Sequence, residues 1–328
     1  MITTELYNGQ GLGNQLFSYV MVRVLALDKG YDFGIMHPEK FKGASFIKLD
    51  FGRPVIGGES PYEGAAPTTL PQGITNYYCE KSLYHKNGSD IRQYDDSLKN
   101  ISDNTKIDGY FQGEDYFKHR KNEIRSWLKV DLIDLPENLC IINFRGGEYL
   151  GHKELFLKQL YWDNAVAHMR KINPKMEFRV ITDDVKTAKE FFPDFEISHN
   201  LEKDYRSIQS AKYLILSNSS FALLPAWLNQ NVKLVIAPKY WARHNISDGY
   251  WACGYNIVKS WMYQDRDGGL HDYDSCIDEL NEYIDKNKEN FVQNRPTSLN
   301  HFPYLLKNKV ARFFPNKIKI FFKKIIHI

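Results

Sequence analysis

Cys140-Ile141-Ile142-Asn143-Phe144 is an apolar run that stops abruptly at Arg145-Gly146-Gly147. A short apolar run closed by glycines reads as a strand buried on both faces. The chain repeats this logic downstream. Residues 156–171 carry helical spacing, 177–182 read as a strand ending in Asp183-Asp184, and 186–192 are helical again. Residues 205–211 form a short helix, and 213–216 are a strand running into Ser217-Asn218-Ser219-Ser220. A helix over 221–228 and a strand over 233–237, closed by Pro238, complete the series. Strands alternating with helices predict an α/β fold with a doubly wound parallel sheet, which binds ligands at the C-terminal ends of its strands.

The same opening occurs at the N-terminus. Residues 2–7 read as a strand that enters Asn8-Gly9-Gln10-Gly11-Leu12-Gly13-Asn14-Gln15. Leu16, Phe17, Val20, Met21, Val24, Leu25 and Leu27 then mark one helical face, ended by Lys29-Gly30. Residues 37–105 are rich in Gly, Pro, Asn and Tyr, and read as loops and small elements suited to lining an acceptor site. Asp108-Gly109-Tyr110-Phe111-Gln112 reads as a strand end, followed by a helix over 116–128. This divides the chain into an N-terminal α/β domain (1–130), a C-terminal doubly wound domain (131–295) and a basic-aromatic tail (296–328).

The 328 residues are long enough to bury a large core without staples. A balance of 43 basic and 40 acidic side chains argues against a nucleic-acid partner. The four cysteines are scattered and show no zinc spacing. The first residues lack the basic and apolar stretches of a signal peptide, and no apolar run is long enough to span a bilayer, so a cytoplasmic location is expected. With 21 Tyr, 20 Phe and 6 Trp, the chain is rich in side chains that suit sugar or base binding, or simply an aromatic core.

Four clusters could carry chemistry. The Gly9–Gln15 loop can be a tight turn or a ligand loop; it lacks the spacing of a dinucleotide fingerprint and the Lys of a P-loop. Arg145, beside Gly146-Gly147-Glu148, offers a donor fork suited to phosphate, or a surface pair with Glu148. Ser219 and Ser220 can cap the next helix, hold phosphate oxygens, or do both. The pairs Asp265-Arg266-Asp267 and Asp272-Tyr273-Asp274 match a weak metal-binding pattern, which solvated turns also produce.

Three segments together resemble the α-1,2-fucosyltransferases of glycosyltransferase family 11. They are Gly9-Gln10-Gly11-Leu12-Gly13-Asn14-Gln15-Leu16-Phe17-Ser18-Tyr19, Gly109-Tyr110-Phe111-Gln112, and Ser217-Asn218-Ser219-Ser220-Phe221 through Trp227-Leu228. The family's H-x-R-R-x-D-Y stands here as Asn143-Phe144-Arg145-Gly146-Gly147-Glu148-Tyr149, keeping one arginine and losing the histidine and the other cation. The resemblance implies two facing Rossmann-like domains of GT-B type and inverting transfer of L-fucose from GDP-fucose to a glycan hydroxyl. Surface-polysaccharide or O-antigen synthesis is the implied setting. Gly11, Gly13, Asn14, Gln15, Asn143, Arg145, Asp204, Ser219 and Ser220 are then the donor-binding candidates. Asp204 would hold the nucleoside and Ser220 the β-phosphate. Arg145, Glu148 and Asp183 are the catalytic candidates, with Glu148 or Asp183 as general base. No metal and no other cofactor is expected. The divergent motif also leaves open another nucleotide sugar as donor, or an inactive glycan-binding relative.

The tail from 301 to 328 has no acidic residue, and interleaves Lys307, Lys309, Arg312, Lys317, Lys319, Lys323 and Lys324 with Phe313, Phe314, Phe321 and Phe322. That composition suits an anionic membrane surface, and predicts peripheral contact with the inner face of the membrane and a lipid-linked acceptor.

Overall fold

The computed structural model describes residues 1–60, 66–85, 90–246 and 256–294. The basic tail and Cys253 lie outside them. The N-terminal part contains β1 (Ile2–Glu5), α1 (Leu12–Lys29), β2 (Phe33–Met36), β3 (Asn76–Cys79), β4 (Ser82–His85), β5 (Asp90–Ile91), β6 (Thr105–Asp108) and α2 (Lys121–Trp127). Four of its strands form a parallel sheet in the order β2-β1-β6-β3.

The C-terminal part contains β7 (Leu139–Phe144), α3 (Gln159–Ile172), β8 (Glu177–Thr182), α4 (Val185–Phe191), β9 (Glu196–Ser198), α5 (Leu201–Ser210) and β10 (Tyr213–Ile215). It continues through α6 (Ser220–Leu228), β11 (Leu234–Pro238), β12 (Met262–Gln264), β13 (Leu270–His271), α7 (Tyr273–Lys286) and β14 (Phe291–Asn294). Its sheet runs β13-β12-β11-β10-β7-β8-β9, parallel except for the β12–β13 hairpin. The expected α/β architecture of two facing Rossmann-like domains is therefore present.

Each sheet has one switch point, where the chain reverses its direction of winding. It falls between β1 and β6 in the first sheet, and between β7 and β10 in the second. A crevice opens at the C-terminal strand ends of such a point. The two crevices face each other because α1 and α6, which start at those strand ends, pack together across the domain boundary. One apolar core runs through both domains, from Leu16, Phe17 and Val20 to Leu223, Leu224 and Trp227. Phe117 meets Trp227 edge-on at 5.1 Å, and Phe46 meets Tyr205 at 5.5 Å.

Three elements differ from the sequence expectation. The helix expected over 116–128 is two short 3-10 turns followed by the seven-residue α2, because Phe117 leaves helical geometry (φ −144°, ψ −1°) between the turns. α5 begins at Leu201, where the Asn200 side chain caps the Lys203 N–H. The polar stretch after 260 holds β12, β13 and α7; only Cys276 and Leu280 of α7 are fully buried, so its apolar stripe is narrow. The strand after α7, β14, crosses back and pairs antiparallel with β4, so the end of the described chain is hydrogen-bonded to the first domain.

Gly13 sets the closeness of the two helices. A Cβ there would lie 2.5 Å from the Phe221 nitrogen and closer still to the Ser220 carbonyl, and neither group can yield because both are backbone. Gly13→Ala should therefore force α1 and α6 apart and destabilise the fold by about 3 kcal/mol, the upper end for overpacking. A denaturant midpoint that barely moves would show that the helices do not meet this way.

Candidate active site

Arg145 leaves the end of β7 and lies under two carboxylates. Its guanidinium is 2.6 Å from Asp183 Oδ2 and 3.0 Å from Glu148 Oε1, and stacks over the Tyr149 ring at 5.2 Å. Tyr149 in turn donates its hydroxyl to the Asn218 carbonyl at 3.3 Å, which ties the arginine's stacking partner to the Ser217–Ser220 turn. Glu148 is 73% exposed, so its pair with Arg145 is of the kind worth about 0–1 kcal/mol and can open for an incoming anion. Asp183 is held more firmly, because its other oxygen accepts the Gly146 N–H at 3.0 Å. Both candidate bases thus face the arginine, and Asp183 has both oxygens engaged.

The glycines beside Arg145 are explained by the next strand. A Cβ on Gly146 would lie 2.7 Å from the Asp184 Cβ, and Gly147 has φ +42° with Asp183 directly against it. Asp184 accepts from Gly147 N–H at 3.3 Å and caps α4 through the Thr187 N–H and hydroxyl, at 3.1 and 2.6 Å. The Thr187 bonds hold its carboxyl below the usual range. Asp184 thus occupies the space that a side chain at position 146 would need.

Across the switch point, Asn143 accepts the Ser217 hydroxyl at 2.8 Å and its carbonyl accepts the Ser217 N–H at 3.0 Å. Asn143 is 4% exposed, so it joins the two strand ends rather than reaching into the crevice. Asn218 donates to the Leu155 and Trp241 carbonyls at 2.9 and 2.6 Å and fixes the turn from behind. Ser219 is the N-cap residue of α6, yet its hydroxyl makes no capping bond, so the first N–H groups of that helix are left for another acceptor. A small cavity of about 20 Å³ beside this turn is lined by Ser217, Ser219, Lys239, Trp241, Asn256 and Trp261.

The Gly-rich loop supplies the opposite wall. Gly11 caps α1 without any side-chain bond, so a second helix N-terminus opens on the same crevice. Asn14 Oδ1 accepts from Gln112 Nε2 at 3.0 Å, and Asn256 donates to the Gln112 carbonyl and side-chain oxygen at 3.3 and 3.4 Å. This relay, Asn14–Gln112–Asn256, runs from one domain to the other, and links the first two motifs to the cavity beside Ser219. Gln15 turns away from it: its amide donates to the Lys40 carbonyl and accepts the Lys42 N–H, both at 2.9 Å. It pins the loop after β2 onto α1.

Asp204 is also turned inward. It is 4% exposed, accepts the Ser198 hydroxyl at 2.5 Å and the Asn200 N–H at 2.8 Å, and so closes the β9–α5 turn. Burial pushes its carboxyl above the usual range. The structure thus brings together Arg145, Glu148, Asp183, Ser219, Ser220, Gly11, Gly13 and Asn14. It uses Gln15, Asn143 and Asp204 inside the fold, where the sequence expected donor contacts. The two D-x-D matches are also structural: Asp265 accepts the Asp267 and Gly269 N–H groups and meets His271 at 2.7 Å, and Asp272 caps α7. Gln112 sits in a quoted motif, but its bridging role has no local signal. Asp184 carried one, since Asp followed by Thr three residues on is a helix cap.

No protein-family model matches the chain. Among characterised proteins, an alpha-1,2-colitosyltransferase of Escherichia coli is 24% identical over 266 residues, covering 70% of this chain and 89% of that protein. The O-antigen biosynthesis glycosyltransferase WbnK of Escherichia coli is 28% identical over 138 residues, 38% of this chain and 45% of WbnK. Among solved structures, E. coli heptosyltransferase WaaC with ADP overlaps 88% of this chain and 99% of its own at 9% identity and a TM-score of 0.39, too loosely to add to the topology above. The relatives agree with the resemblance carried by the three motifs, and on both grounds this chain is a glycosyltransferase.

Proposed function

We propose that the chain is an inverting transferase that moves L-fucose from GDP-fucose to a glycan hydroxyl, forming an α-1,2 linkage in surface-polysaccharide or O-antigen synthesis. One observation carries the reading: the backbone contact of Gly13 with Ser220 sets two uncapped helix N-termini together, and Arg145 is tied through Tyr149 to the Asn218 carbonyl just before α6. Helix N-termini attract anions, and Arg offers a planar fork to phosphate. As the acceptor oxygen attacks C1 of the donor sugar, negative charge grows on the β-phosphate. Fixed donors aimed at that charge lower the barrier without needing a metal. In this mechanism Asp183 is a positioning residue that aims Arg145, and Glu148 yields its place to the diphosphate.

A second reading keeps the mechanism and changes the sugar. The match to the colitosyltransferase covers 70% of this chain, and favours colitose as the transferred sugar. The acceptor is a glycan, lipid-linked if the tail meets the membrane. No described helix is long and apolar enough to cross a bilayer. The peripheral placement therefore rests on the composition of residues 301–328.

Four outcomes are expected. GDP and GDP-fucose, with no metal added, should raise the melting temperature, by the equivalent of about 2.7 kcal/mol at 100 times the dissociation constant. Stabilisation by UDP-sugars alone would reject the donor. Arg145→Ala should lower turnover by about 10²–10³ while the fold persists. Gly146→Arg, which restores the family residue, should lose stability and gain no activity, because Asp184 fills its site. A faster Gly146→Arg enzyme would contradict that packing. Finally, the full chain should co-sediment with anionic vesicles at low salt and a chain ending at Asn300 should not; equal binding would remove the tail from the account.

A further inference from the structure

The crevice of the first sheet holds a charged cluster that the sequence did not single out. Lys106 is fully buried on β6, with its ammonium 2.9 Å from Glu5 Oε2, 3.3 Å from the Tyr7 hydroxyl, 3.4 Å from Asp108 Oδ2 and 2.5 Å from the Ser60 hydroxyl. Tyr7 donates to Asp108 Oδ1 at 2.7 Å. Burial raises the Asp108 carboxyl against the pull of Lys106. Glu5 and Asp108 end β1 and β6, the strands that flank the switch point, at the strand ends from which α1 sets out towards α6.

The second oxygen of Glu5 points to a histidine. His37 Nε2 lies 3.6 Å from Glu5 Oε1, while Nδ1 lies 3.3 Å from Glu39 Oε1. His37 directly follows β2 and is 40% exposed, and its φ is +57°, a left-handed conformation that residues with a Cβ seldom adopt. Backbone strain of this kind gathers at functional sites. The Leu6 N–H donates to the Met36 carbonyl at 3.1 Å, so His37 stands beside the chain that enters the Gly-rich loop. Glu39, 68% exposed, is free to leave Nδ1.

We infer that His37 is the general base of the transfer, oriented by Glu5, which buried Lys106 holds in place. The inference rests on the transferase reading above. Nε2, 3.6 Å from Glu5, would carry the proton as that contact closes to a hydrogen bond, and Nδ1 would then offer its lone pair to the acceptor hydroxyl. The acceptor proton passes to Nδ1 and the acceptor oxygen bonds to C1 of the donor sugar. The bond from C1 to the β-phosphate oxygen breaks, and its electron pair stays on the diphosphate. Among the described residues, Glu5 from β1 and Glu39 from its own turn pair with the ring, and Lys106 and Asp108 from β6 lie behind Glu5.

His37→Asn is the informative variant, because Asn tolerates positive φ and should keep the backbone. In the full chain it should cut kcat by about 10²–10⁴, leave the GDP melting shift and donor KM unchanged, and erase the acidic limb of the wild-type pH–rate profile. Glu39→Gln should stay within a few-fold of wild type. Turnover near wild type in His37→Asn, or a retained acidic limb, would overturn the inference alone. A wild-type chain that neither binds GDP nor transfers from GDP-fucose would overturn the donor reading, and the base with it.

Discussion

The backbone of Gly13 rests on the backbone of Ser220, and most of the site depends on that contact. Two helices from different domains can approach this closely only where one lacks a side chain. Their first turns then share one crevice, and the apolar residues behind them, Phe17 and Val20 on α1, Leu223 and Trp227 on α6, merge into one core. The polar consequences follow from the same approach. Gln112 can reach both Asn14 and Asn256 only because the domains are this close, and Glu114 accepts from the Trp227 indole at 2.8 Å and from the Lys259 N–H at 3.1 Å. A buried polar chain of this kind is costly if any member is left unpaired, so it also specifies the domain arrangement.

The departure from the family pattern around Arg145 has a structural counterpart. The missing second cation coincides with two adjacent carboxylates just after β8, of which Asp184 lies against position 146. They stabilise the loop 146–147 through its N–H groups and aim the remaining arginine. Arg145 gains rigidity and loses net positive surroundings. In the proposed reading, a diphosphate arriving there would displace Glu148 at little cost, while Asp183 stays. The helix N-termini of α1 and α6 would carry the share of the charge that a second arginine carries elsewhere.

Much of this was legible in the sequence. The apolar runs at 140–144 and 213–216 announced buried strands, and the glycines and serines that follow marked their C-terminal ends. What stayed hidden was long-range. Asp204 reads as a polar residue at a suitable spacing, yet its oxygens are used by Ser198 and Asn200 within the same turn. Gln15 belongs to the most specific motif and serves to clamp the loop after β2. Glu5, His37 and Lys106 are separated by up to 101 residues and meet only because β1 is central in its sheet. α7 escaped notice because a helix lying on the surface buries few side chains, and β14 because its partner is more than 200 positions earlier in the chain.

The central claim is that the donor diphosphate lies where α1 and α6 begin, against Arg145. A crystal structure of the full chain with GDP tests it most directly. The account predicts the β-phosphate within hydrogen-bond distance of the Arg145 guanidinium and of the first N–H groups of α6. A diphosphate bound elsewhere, with Arg145 still closed on Glu148, would contradict it.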